Sequence, residues 1–392
     1  MPVGPMLVSA TTEAAAKPVR VCHLIHELGP GGAEHVLVDL ARVAPPAGIE
    51  MRVLSLMPLG AHRYPQMLRN LGVRVDSLEL ASRWDPRGLR RAVRLLRGDP
   101  PDLLHSHLKH ADLVAAYAAP RLGIPMVSTL HLIEDEVGMV GRFKRSLGAR
   151  ARRRRAARTI AVSDAVRDWY LDCFAADPTG VVTIRNGIPA PEPVTAGGRK
   201  AGRDEFGVAD GDLLAATVAI FRAGKGHDDL LAAAARLGDV PIRFVLAGSG
   251  PEEERLRGRV LTEGLEGRVV FAGFREDVSG LLGAADLVVH PSHADALPTA
   301  LIHALAAGVP AVATQVGGIA EIVGEEAGIL VPAGDPAALA EAVRRMAEDA
   351  GQRQRMGEAA RARFAAHFEG AAWARRLRAL YEEILAEEPG SA

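Results

Sequence analysis

The sequence of 392 residues predicts an α/β protein of two doubly wound, Rossmann-like domains that face each other across a cleft. Its length exceeds what one ordinary hydrophobic core holds and suits two. In both halves, short apolar runs alternate with amphipathic stretches, a rhythm typical of βαβ units in parallel sheets that are covered on both faces. Between the halves, residues 186–202 interrupt this rhythm with three prolines and several glycines, which indicates a linker.

The first half opens with an apolar run, Val19–Ile25, which is closed by Gly29-Pro30-Gly31-Gly32. Val36, Leu37 and Leu40 then fall on one stripe and predict a helix from Ala33 to Ala44. Helical patterns also separate several of the later strand candidates. Those further strands are predicted at Met51–Leu56, Val73–Leu78, Leu103–His105 and Met126–Leu130.

The second half repeats the alternation more cleanly, with Ala/Leu/Glu-rich helices between its strands. Because ligands of doubly wound sheets bind at the carboxyl ends of the strands, we expect the site in the cleft. Strands are predicted at Leu213–Ala219, Ile242–Ala247, Val269–Ala272, Leu287–His290, Ala311–Ala313 and Ile329–Val331. A last stripe of Trp373, Leu377, Leu380, Tyr381 and Leu385 predicts a C-terminal helix.

These patterns divide the chain into five parts. Residues 1–18 are expected to be a loose leader, because they lack the basic start and apolar block of a secretory signal. The first domain is predicted at 19–190, a linker at 191–202 and the second domain at 203–368. Residues 369–388 are expected to form a helix that packs back toward the first domain.

The composition, 48% hydrophobic and 24% charged, is that of a globular protein. No apolar run is long enough to cross a bilayer, so no transmembrane segment is expected. Cys22 and Cys173 are the only cysteines, which excludes a disulfide framework and a clustered cysteine metal site. A cytoplasmic location is therefore expected.

The charge is divided unequally between the halves. Residues 1–190 carry 26 Lys and Arg against 18 Asp and Glu, and residues 191–392 carry 21 against 30. Two segments, Arg83–Arg97 and Arg142–Arg158, hold much of the basic excess. A solvated helix face is the default interpretation, and contact with an anionic partner or with the inner face of a membrane is the alternative. Nucleic acid is disfavoured, because no aromatic platform or binding motif accompanies the charge.

The most informative segment runs from Asp286 to Glu321. A strand ends at His290, a polar loop follows, and a helix begins near Thr299. The unpaired N–H groups at that helix start, together with its dipole, predict an anion site. A Gly317-Gly318 loop after the next strand gives a second close backbone approach. Ordinary strand-to-helix turns are the alternative.

A second segment, Phe221-Arg222-Ala223-Gly224-Lys225-Gly226-His227, places two cations after a strand. Fixed cations there can neutralise a developing phosphate charge, although a solvated cation pair at a helix start is the alternative. In contrast, Gly248-Ser249-Gly250-Pro251 fails the dinucleotide fingerprint of dehydrogenases, because Glu253 stands where Gly or Ala is needed. Asp210-Gly211-Asp212 is interpreted as turn chemistry, so no metal site is predicted.

These motifs resemble the GT-B, retaining glycosyltransferases of family 4, over residues 19 to about 388. The most specific block reads Pro291-Ser292, Asp295, His303 and Ala307-Gly308-Val309-Pro310. The resemblance implies that Asp295 lies by the donor sugar and that the loop of Ala296, Leu297, Pro298 and Thr299 holds the diphosphate.

His303 departs from the family, which has there a glutamate that binds the ribose hydroxyls. A neutral imidazole offers one acceptor and one donor, whereas a carboxylate accepts from both hydroxyls. An altered nucleotide contact and a buried structural histidine stay open. Asp295 also replaces a glutamate, but this change keeps the charge.

The resemblance assigns roles to further residues. It implies that Arg222 and Lys225 stabilise the leaving diphosphate, and that His131 is the cleft histidine near the reacting sugar. Packing is the alternative for His131 and is favoured for His105 and His107. Glu134, Asp135 and Glu136 are either acceptor-orienting or an exposed acidic loop. Donor contacts are implied for Gly31 and Gly32 (phosphate), Gly248 and Gly250 (a turn near the donor), and Gly273, Phe274 and Arg275 (the base, through backbone groups).

The implied activity is transfer of a hexose-type sugar from a nucleoside diphosphate to an acceptor hydroxyl, with the anomeric configuration retained. No cofactor or metal is expected beyond the nucleotide-sugar donor, and the acceptor is unspecified. Two alternatives stay open. One is a nucleotide-sugar-binding protein without catalysis, suggested by His303, and the other is a GT-B epimerase, for which no acid/base set is found.

Overall fold

The computed structural model describes residues 17–29, 31–80, 86–133, 139–275 and 278–387. It contains two all-parallel sheets, one from each half of the chain. Most of the predicted leader, residues 1–16, and the acidic residues Glu134, Asp135 and Glu136 lie outside the described residues. Within the described residues, no helix combines the length and the apolar character needed to cross a membrane.

The first sheet has seven strands in the order β3-β2-β1-β4-β5-β6-β7. The strand order therefore reverses between β1 and β4, which is where doubly wound sheets bind ligands. The strands are β1 Val19–Ile25, β2 Ile49–Ser55, β3 Arg74–Ser77, β4 Leu103–His107, β5 Met126–Leu130, β6 Ala156–Ala161 and β7 Val181–Thr183. The helices are α1 Gly32–Val43, α2 Tyr64–Asn70, α3 Pro86–Gly98, α4 Lys109–Leu122, α5 Met139–Arg155 and α6 Asp164–Phe174.

The second sheet has six strands in the order β10-β9-β8-β11-β12-β13, and its order reverses between β8 and β11. The strands are β8 Leu213–Val218, β9 Ile242–Ala247, β10 Val269–Gly273, β11 Leu287–His290, β12 Ala311–Thr314 and β13 Gly328–Val331. The helices are α7 Ala196–Glu205, α8 His227–Arg236, α9 Glu253–Thr262, α10 Ser279–Ala284, α11 Thr299–Ala307, α12 Ile319–Val323, α13 Pro336–Glu348, α14 Ala350–His367 and α15 Gly370–Ala386.

Both predicted Rossmann-like domains are thus confirmed. Strands β4 and β5 are buried along their whole length, as expected of central strands that helices cover on both faces. Helix α15 leaves the second domain and packs on the first, where Trp373, Leu377 and Tyr381 share a core with Val36 and Leu37 of α1.

The predicted linker differs from the structure over part of its length. Residues from Ala196 onward form α7, whose first turn is capped because the Thr195 hydroxyl accepts from the Gly198 N–H. Arg199 and Arg203 of this helix both pair with Asp286, at 2.5 and 2.8 Å. The glycines at 197 and 198 hid a helix that these contacts stabilise.

The chain crosses between the domains twice, and the two crossings are joined. The Ile188 N–H donates to the Phe368 carbonyl at 3.0 Å, and the Gly370 N–H donates back to the Ile188 carbonyl at 2.8 Å. Gly187 permits this approach, because a Cβ there would lie 2.8 Å from the Phe368 carbonyl oxygen. We call residues 187–188 and 368–370 the double crossing.

Candidate functional site

A buried charge cluster lies at the carboxyl end of β11. Asp295 Oδ2 accepts from Lys225 Nζ at 2.6 Å and lies 3.1 Å from His290 Nε2. Burial by itself would raise the pKa of Asp295, but the His290 hydrogen bond and the Lys225 charge outweigh it and hold the pKa well below its usual range. The carboxylate is therefore ionised. His290 was named in the sequence only as a strand end, so its contact with Asp295 was missed.

The loop that carries both predicted cations packs directly beneath this cluster. The His293 N–H donates to the Gly224 carbonyl at 2.8 Å. Gly226 has a φ of 68°, and a Cβ there would lie 1.8 Å from the Pro291 carbonyl oxygen, so only glycine fits. Lys225 is held inward against Asp295, whereas the exposed side chain of Arg222 has no hydrogen bond or ion pair among the described residues.

The start of α11 adds backbone donors to the same place. No side chain caps its N-terminus, which Pro298 precedes. The Thr299 and Ala300 amides are therefore available to an anion, as expected of an open helix N-terminus, whereas the Leu301 N–H donates to the Pro298 carbonyl at 3.1 Å. Ala296, Leu297 and Pro298 are buried and Thr299 is half-buried. The sequence-predicted loop, its helix and Lys225 thus lie together.

The other predicted glycine loops pack around this region. Gly317 has a φ of 49°, and a Cβ there would lie 1.8 Å from the Asp295 carbonyl oxygen. Gly248 and Gly250 lie equally close to backbone: a Cβ on either would fall within 2.3 Å of the Ala219 or Phe221 carbonyl oxygen. These glycines let the loop after β9 approach the loop after β8, and the loop after β12 approach the loop after β11.

The loop after β10 divides its predicted residues between two surfaces. Gly273 has a φ of 67° and accepts the Gly248 N–H at 2.8 Å. The guanidinium of Arg63, from the first domain, stacks on the exposed Phe274 ring, 4.2 Å from the ring centroid. The Arg275 side chain turns away and pairs with Glu205 of its own domain. Arg63 had no sequence signal, because the contact exists only across the cleft.

In the first domain, Gly31 and Gly32 begin α1 and leave its N-terminus half-exposed. Glu34, in the first turn, folds back over Gly31, since a Cβ on Gly31 would lie 2.3 Å from Glu34 Oε2. Burial raises the pKa of Glu34 to about 7. Glu34 was not singled out in the sequence, although a glutamate at the third helical position is half of a capping box.

Four histidines form a layer at the carboxyl ends of β1, β4 and β5. His131 Nε2 lies 2.8 Å from His107 Nδ1, and His107 Nε2 lies 3.0 Å from His23 Nδ1. His105 stacks beside them but bonds elsewhere, to Thr129 at 2.6 Å and to Tyr381 of α15 at 2.7 Å. Burial lowers the pKa of His23 to about 3 and of His131 to about 4, so the layer is neutral. His23 was missed, because inside a strand it looked like core.

His303 lies against the first domain. Its ring centroid is 6.0 Å from that of His35, and His35 Nε2 is 3.6 Å from Asp39 Oδ2. Burial raises the pKa of the fully buried Asp39 to about 7. His35 and Asp39 were not singled out in the sequence, because one helical turn separates them and His303 comes from another domain.

Two groups of described residues have the ligand types and spacing of a metal site. In the group of His23, His105 and His107, five of the six ring nitrogens already take part in the hydrogen bonds given above, and only His23 Nε2 does not. In the group of His35, Asp39 and His303, one ligand atom from each lies within 4.8 Å of the others. Two imidazoles and a carboxylate form a donor set that Zn²⁺ accepts. The sequence predicted no metal, and that prediction stays untested.

The two domains touch at the loop between β11 and α11. Ser163, which caps α6, donates its hydroxyl to the Ala296 carbonyl at 2.8 Å. Glu321 accepts from the N–H groups of Asp164 and Ala165 at 3.0 and 2.9 Å, and from Arg185 Nε at 2.9 Å. These residues carried no signal in the sequence, because their partners lie more than 130 positions away along the chain.

The basic segments of the first domain are mostly but not wholly solvated. Arg153, Arg154 and Arg155 of α5 are exposed. Arg152 is not, which corrects the interpretation of the whole run as a solvated face: its Nη1 lies 2.5 Å from the fully buried Asp112. Further exposed cations lie on α3, at Arg87, Arg90, Arg91, Arg94 and Arg97, whereas Arg83 lies outside the described residues.

Comparison with known proteins supports the family that the sequence motifs resemble. The pattern described as "Glycosyltransferase Family 4" matches residues 30–190, and "Glycosyl transferases group 1" matches residues 199–363. The D-inositol 3-phosphate glycosyltransferase of Kineococcus radiotolerans is 30% identical over 314 residues, which is 72% of this chain and 70% of that protein. The 2-deoxystreptamine N-acetyl-D-glucosaminyltransferase of Streptomyces fradiae is 28% identical over 343 residues, 80% of this chain and 81% of that protein.

Among solved structures, HepE of Anabaena in complex with UDP superimposes with a TM-score of 0.82 at 23% identity, covering 93% of this chain and 100% of the other. That likeness confirms the arrangement of two facing Rossmann-like domains. Together with the two matched halves and the relatives of similar length, it shows that the chain belongs to the GT-B glycosyltransferases of family 4.

Proposed function

We propose that the protein transfers a hexose-type sugar from a nucleoside diphosphate sugar to an acceptor hydroxyl, retaining the anomeric configuration and using no metal. The observation that carries the proposal is the ionised Asp295 bound to Lys225 and His290, beside the uncapped start of α11 and the exposed Arg222. HepE of Anabaena, a structural neighbour, is solved with UDP-glucose.

In this proposal the diphosphate lies against the first-turn amides of α11, with Arg222 and Lys225 as its cations. As the bond from the anomeric carbon to the phosphate oxygen breaks, these groups stabilise the departing charge, which is the largest expected source of rate. Asp295 lies by the sugar, where a fixed anion stabilises the positive charge that develops on the ring.

Retention follows if the acceptor oxygen bonds to the anomeric carbon on the face from which the diphosphate leaves. The acceptor hydroxyl then passes its proton to the departing phosphate oxygen, so no protein nucleophile is needed. No described carboxylate is proposed for that role. The exposed arginines of α3 and α5 are proposed to meet an anionic acceptor or the cytoplasmic membrane face that presents one.

The test is incubation of the full chain with a panel of nucleotide sugars, with and without a chelator. We expect slow release of free sugar from one nucleotide type, at an unchanged rate in the chelator, with the released sugar initially in the donor's anomeric form by NMR. Binding without release would indicate a protein that has lost catalysis, and an isomerised donor would indicate an epimerase. Loss of activity in the chelator would point to the His35, Asp39 and His303 group.

A further inference from the structure

The hydrogen-bonded chain His23–His107–His131 has a direction. His23 and His107 are 0% and 2% exposed, whereas His131 is half-buried. The segment just after His131 faces the second domain, since a Cβ on Gly317 would lie 3.3 Å from Ile133 Cδ1. The chain therefore runs from the core of the first domain to the cleft beside the Asp295 loop.

Neutral imidazoles allow only two arrangements of the protons along this chain. Each neutral ring carries one N–H and one acceptor nitrogen. In the first arrangement, His23 Nδ1–H donates to His107 Nε2, and His107 Nδ1–H donates to His131 Nε2. In the second arrangement every bond is reversed, so His131 Nε2–H donates to His107 and His107 Nε2–H donates to His23.

His23, at the buried end of the hydrogen-bonded histidines, distinguishes the two arrangements. His23 Nε2 is buried and has no hydrogen-bond partner among the described residues. In the second arrangement this atom would carry the proton, leaving an N–H group buried without an acceptor. The first arrangement leaves only a lone pair there. Orphaned buried N–H groups are rarer than under-used acceptors, because the donor loses its hydration without compensation.

We propose that His23 and His107 fix the tautomer of His131, so that its Nδ1 carries the proton and faces the cleft as a neutral hydrogen-bond donor. His131 then recognises an oxygen, either a sugar hydroxyl or a phosphate oxygen of the donor, and does not act as a base. The identity of that oxygen rests on the proposed function, whereas the tautomer does not. His107 and His23 are positioning residues, since they act through His131.

The pKa values of this region agree with the neutral form. Burial lowers the pKa of His107 well below its usual value, in addition to the shifts of His23 and His131 given above. His105 lies outside the chain, because Thr129 and Tyr381 occupy both of its nitrogens. It is equally buried and stacks on His107 at 4.4 Å between centroids, which makes it a matched control.

The direct test is ¹⁵N NMR of the full chain, ligand-free at pH 7.5, with selectively labelled histidine. The His131 resonances are assigned by their loss in His131→Gln. We expect Nδ1 of His131 to be protonated and Nε2 to be bare. A proton on Nε2, or a charged ring, would overturn the proposal. Because no substrate is present, this result does not depend on the transfer reaction.

A pair of variants links the tautomer to turnover. His107→Asn keeps an amide N–H close to the position of Nδ1, so it should preserve both the His131 tautomer and kcat within about threefold. His107→Leu removes the donor; its His131 should show mixed tautomers, and kcat should fall at least about tenfold with KM for the acceptor unchanged.

His105→Asn should lower thermal stability but leave the His131 spectrum unchanged. A His107→Leu protein that folds with an unchanged tautomer yet loses turnover would contradict the proposal. An Asn variant that loses turnover while keeping the tautomer would contradict it equally. If His107→Leu does not fold, the wild-type spectrum still decides the question.

Discussion

The two domains each bury carboxylates near the cleft, and they treat them in opposite ways. In the second domain, His290 and Lys225 hold the pKa of Asp295 below its usual range. In the first domain, burial without an adequate cation raises the pKa of both Glu34 and Asp39 to about 7. The cleft side of the second domain thus carries fixed charge, whereas the cleft side of the first domain is nearly neutral, with four uncharged imidazoles at its sheet edge.

This difference fits a division of labour. A site that holds a diphosphate needs cations and amides already in place, because reorganising them during the reaction costs rate. A surface that meets the sugar needs neutral donors and acceptors that fix its orientation without attracting the wrong ion. The predictions below test this contrast between a charged and a neutral half of one cleft.

The largest effect is expected at the two cations. Arg222→Ala and Lys225→Ala should each lower kcat at least about a hundredfold, since each removes charge that stabilises the leaving diphosphate. Arg222→Ala should leave Tm unchanged, because that side chain is exposed. Lys225→Ala should lower Tm, because Asp295 loses its ion pair.

Lys200→Ala is the matched control, since among the described residues Lys200 forms an ion pair only with the exposed Asp204. Its turnover and Tm should both equal those of the wild type. Near-normal turnover in both cation variants would remove the second domain from the proposed chemistry.

Stability against pH should separate the two halves. Glu34 has a folded-state pKa of about 7, above its ordinary value of 4.5, so its contribution is full below pH 4.5 and is lost as the pH rises through 7. Relative to the wild type, Glu34→Gln should therefore gain up to roughly 3 kcal/mol in free energy of unfolding between pH 5 and pH 8. Urea denaturation across that range measures it.

Asp295→Asn supplies the contrast, because the pKa of Asp295 is lowered. Its contribution is present above the unfolded value of 3.8 and is lost only as the pH falls through the folded value. The stability difference between this variant and the wild type should be constant from pH 5 to pH 8. If the stability difference from the wild type changed with pH in the same way in both variants, the distinction between the two halves would be contradicted.

A smaller effect is expected at position 303, where a histidine replaces the glutamate of the family. His303→Glu should tighten binding of the nucleoside diphosphate by roughly 1–3 kcal/mol, if a charge-assisted bond to ribose is restored. The same change brings a carboxylate beside the buried Asp39, so Tm should fall. Isothermal titration measures the first effect; weaker binding would indicate that the histidine has its own contact, and unchanged binding that position 303 does not touch the nucleotide.

The smallest effect concerns the basic face. The full chain should co-sediment with anionic but not neutral vesicles at low salt, and 0.1 M salt, which screens charges beyond about 10 Å, should weaken this. Reversal of Arg153, Arg154 and Arg155 to Glu should abolish it. Arg152 is left intact, because it pairs with Asp112 in the core and its reversal would unfold the domain. If the protein co-sedimented with neither vesicle type, a soluble acceptor would be favoured.

Much of the fold could be predicted because it depends on local periodicity. The two doubly wound domains followed from the βαβ rhythm, and Lys225 and Asp295 could be placed near each other because both follow strands of one parallel sheet. Residues whose role depends on a distant partner could not be predicted in this way. Arg152 looked like its three neighbours until Asp112 was found opposite it.

The same limit applies across the cleft. Ser163, Glu321 and Arg63 look unremarkable in sequence, because their contacts depend on how two independently folded units sit together. His23 was hidden for a different reason: a polar ring in an apolar strand gives no sign of whether it is merely buried or hydrogen-bonded into a chain. Only the folded structure brings these residues together.

The double crossing restricts how the cleft can move. Two separate tethers would let the domains both bend and twist, but here the tethers are hydrogen-bonded to each other at Ile188 and Gly370. Two crossings that are hydrogen-bonded side by side, here through one parallel bridge, favour rotation of the domains about a single axis. The domains should therefore open and close along one path. Each residue on the cleft side of one domain should then contact the same residue of the other domain at every closure. The contacts of Ser163 with Ala296 and of Arg63 with Phe274 would form again each time the cleft closes.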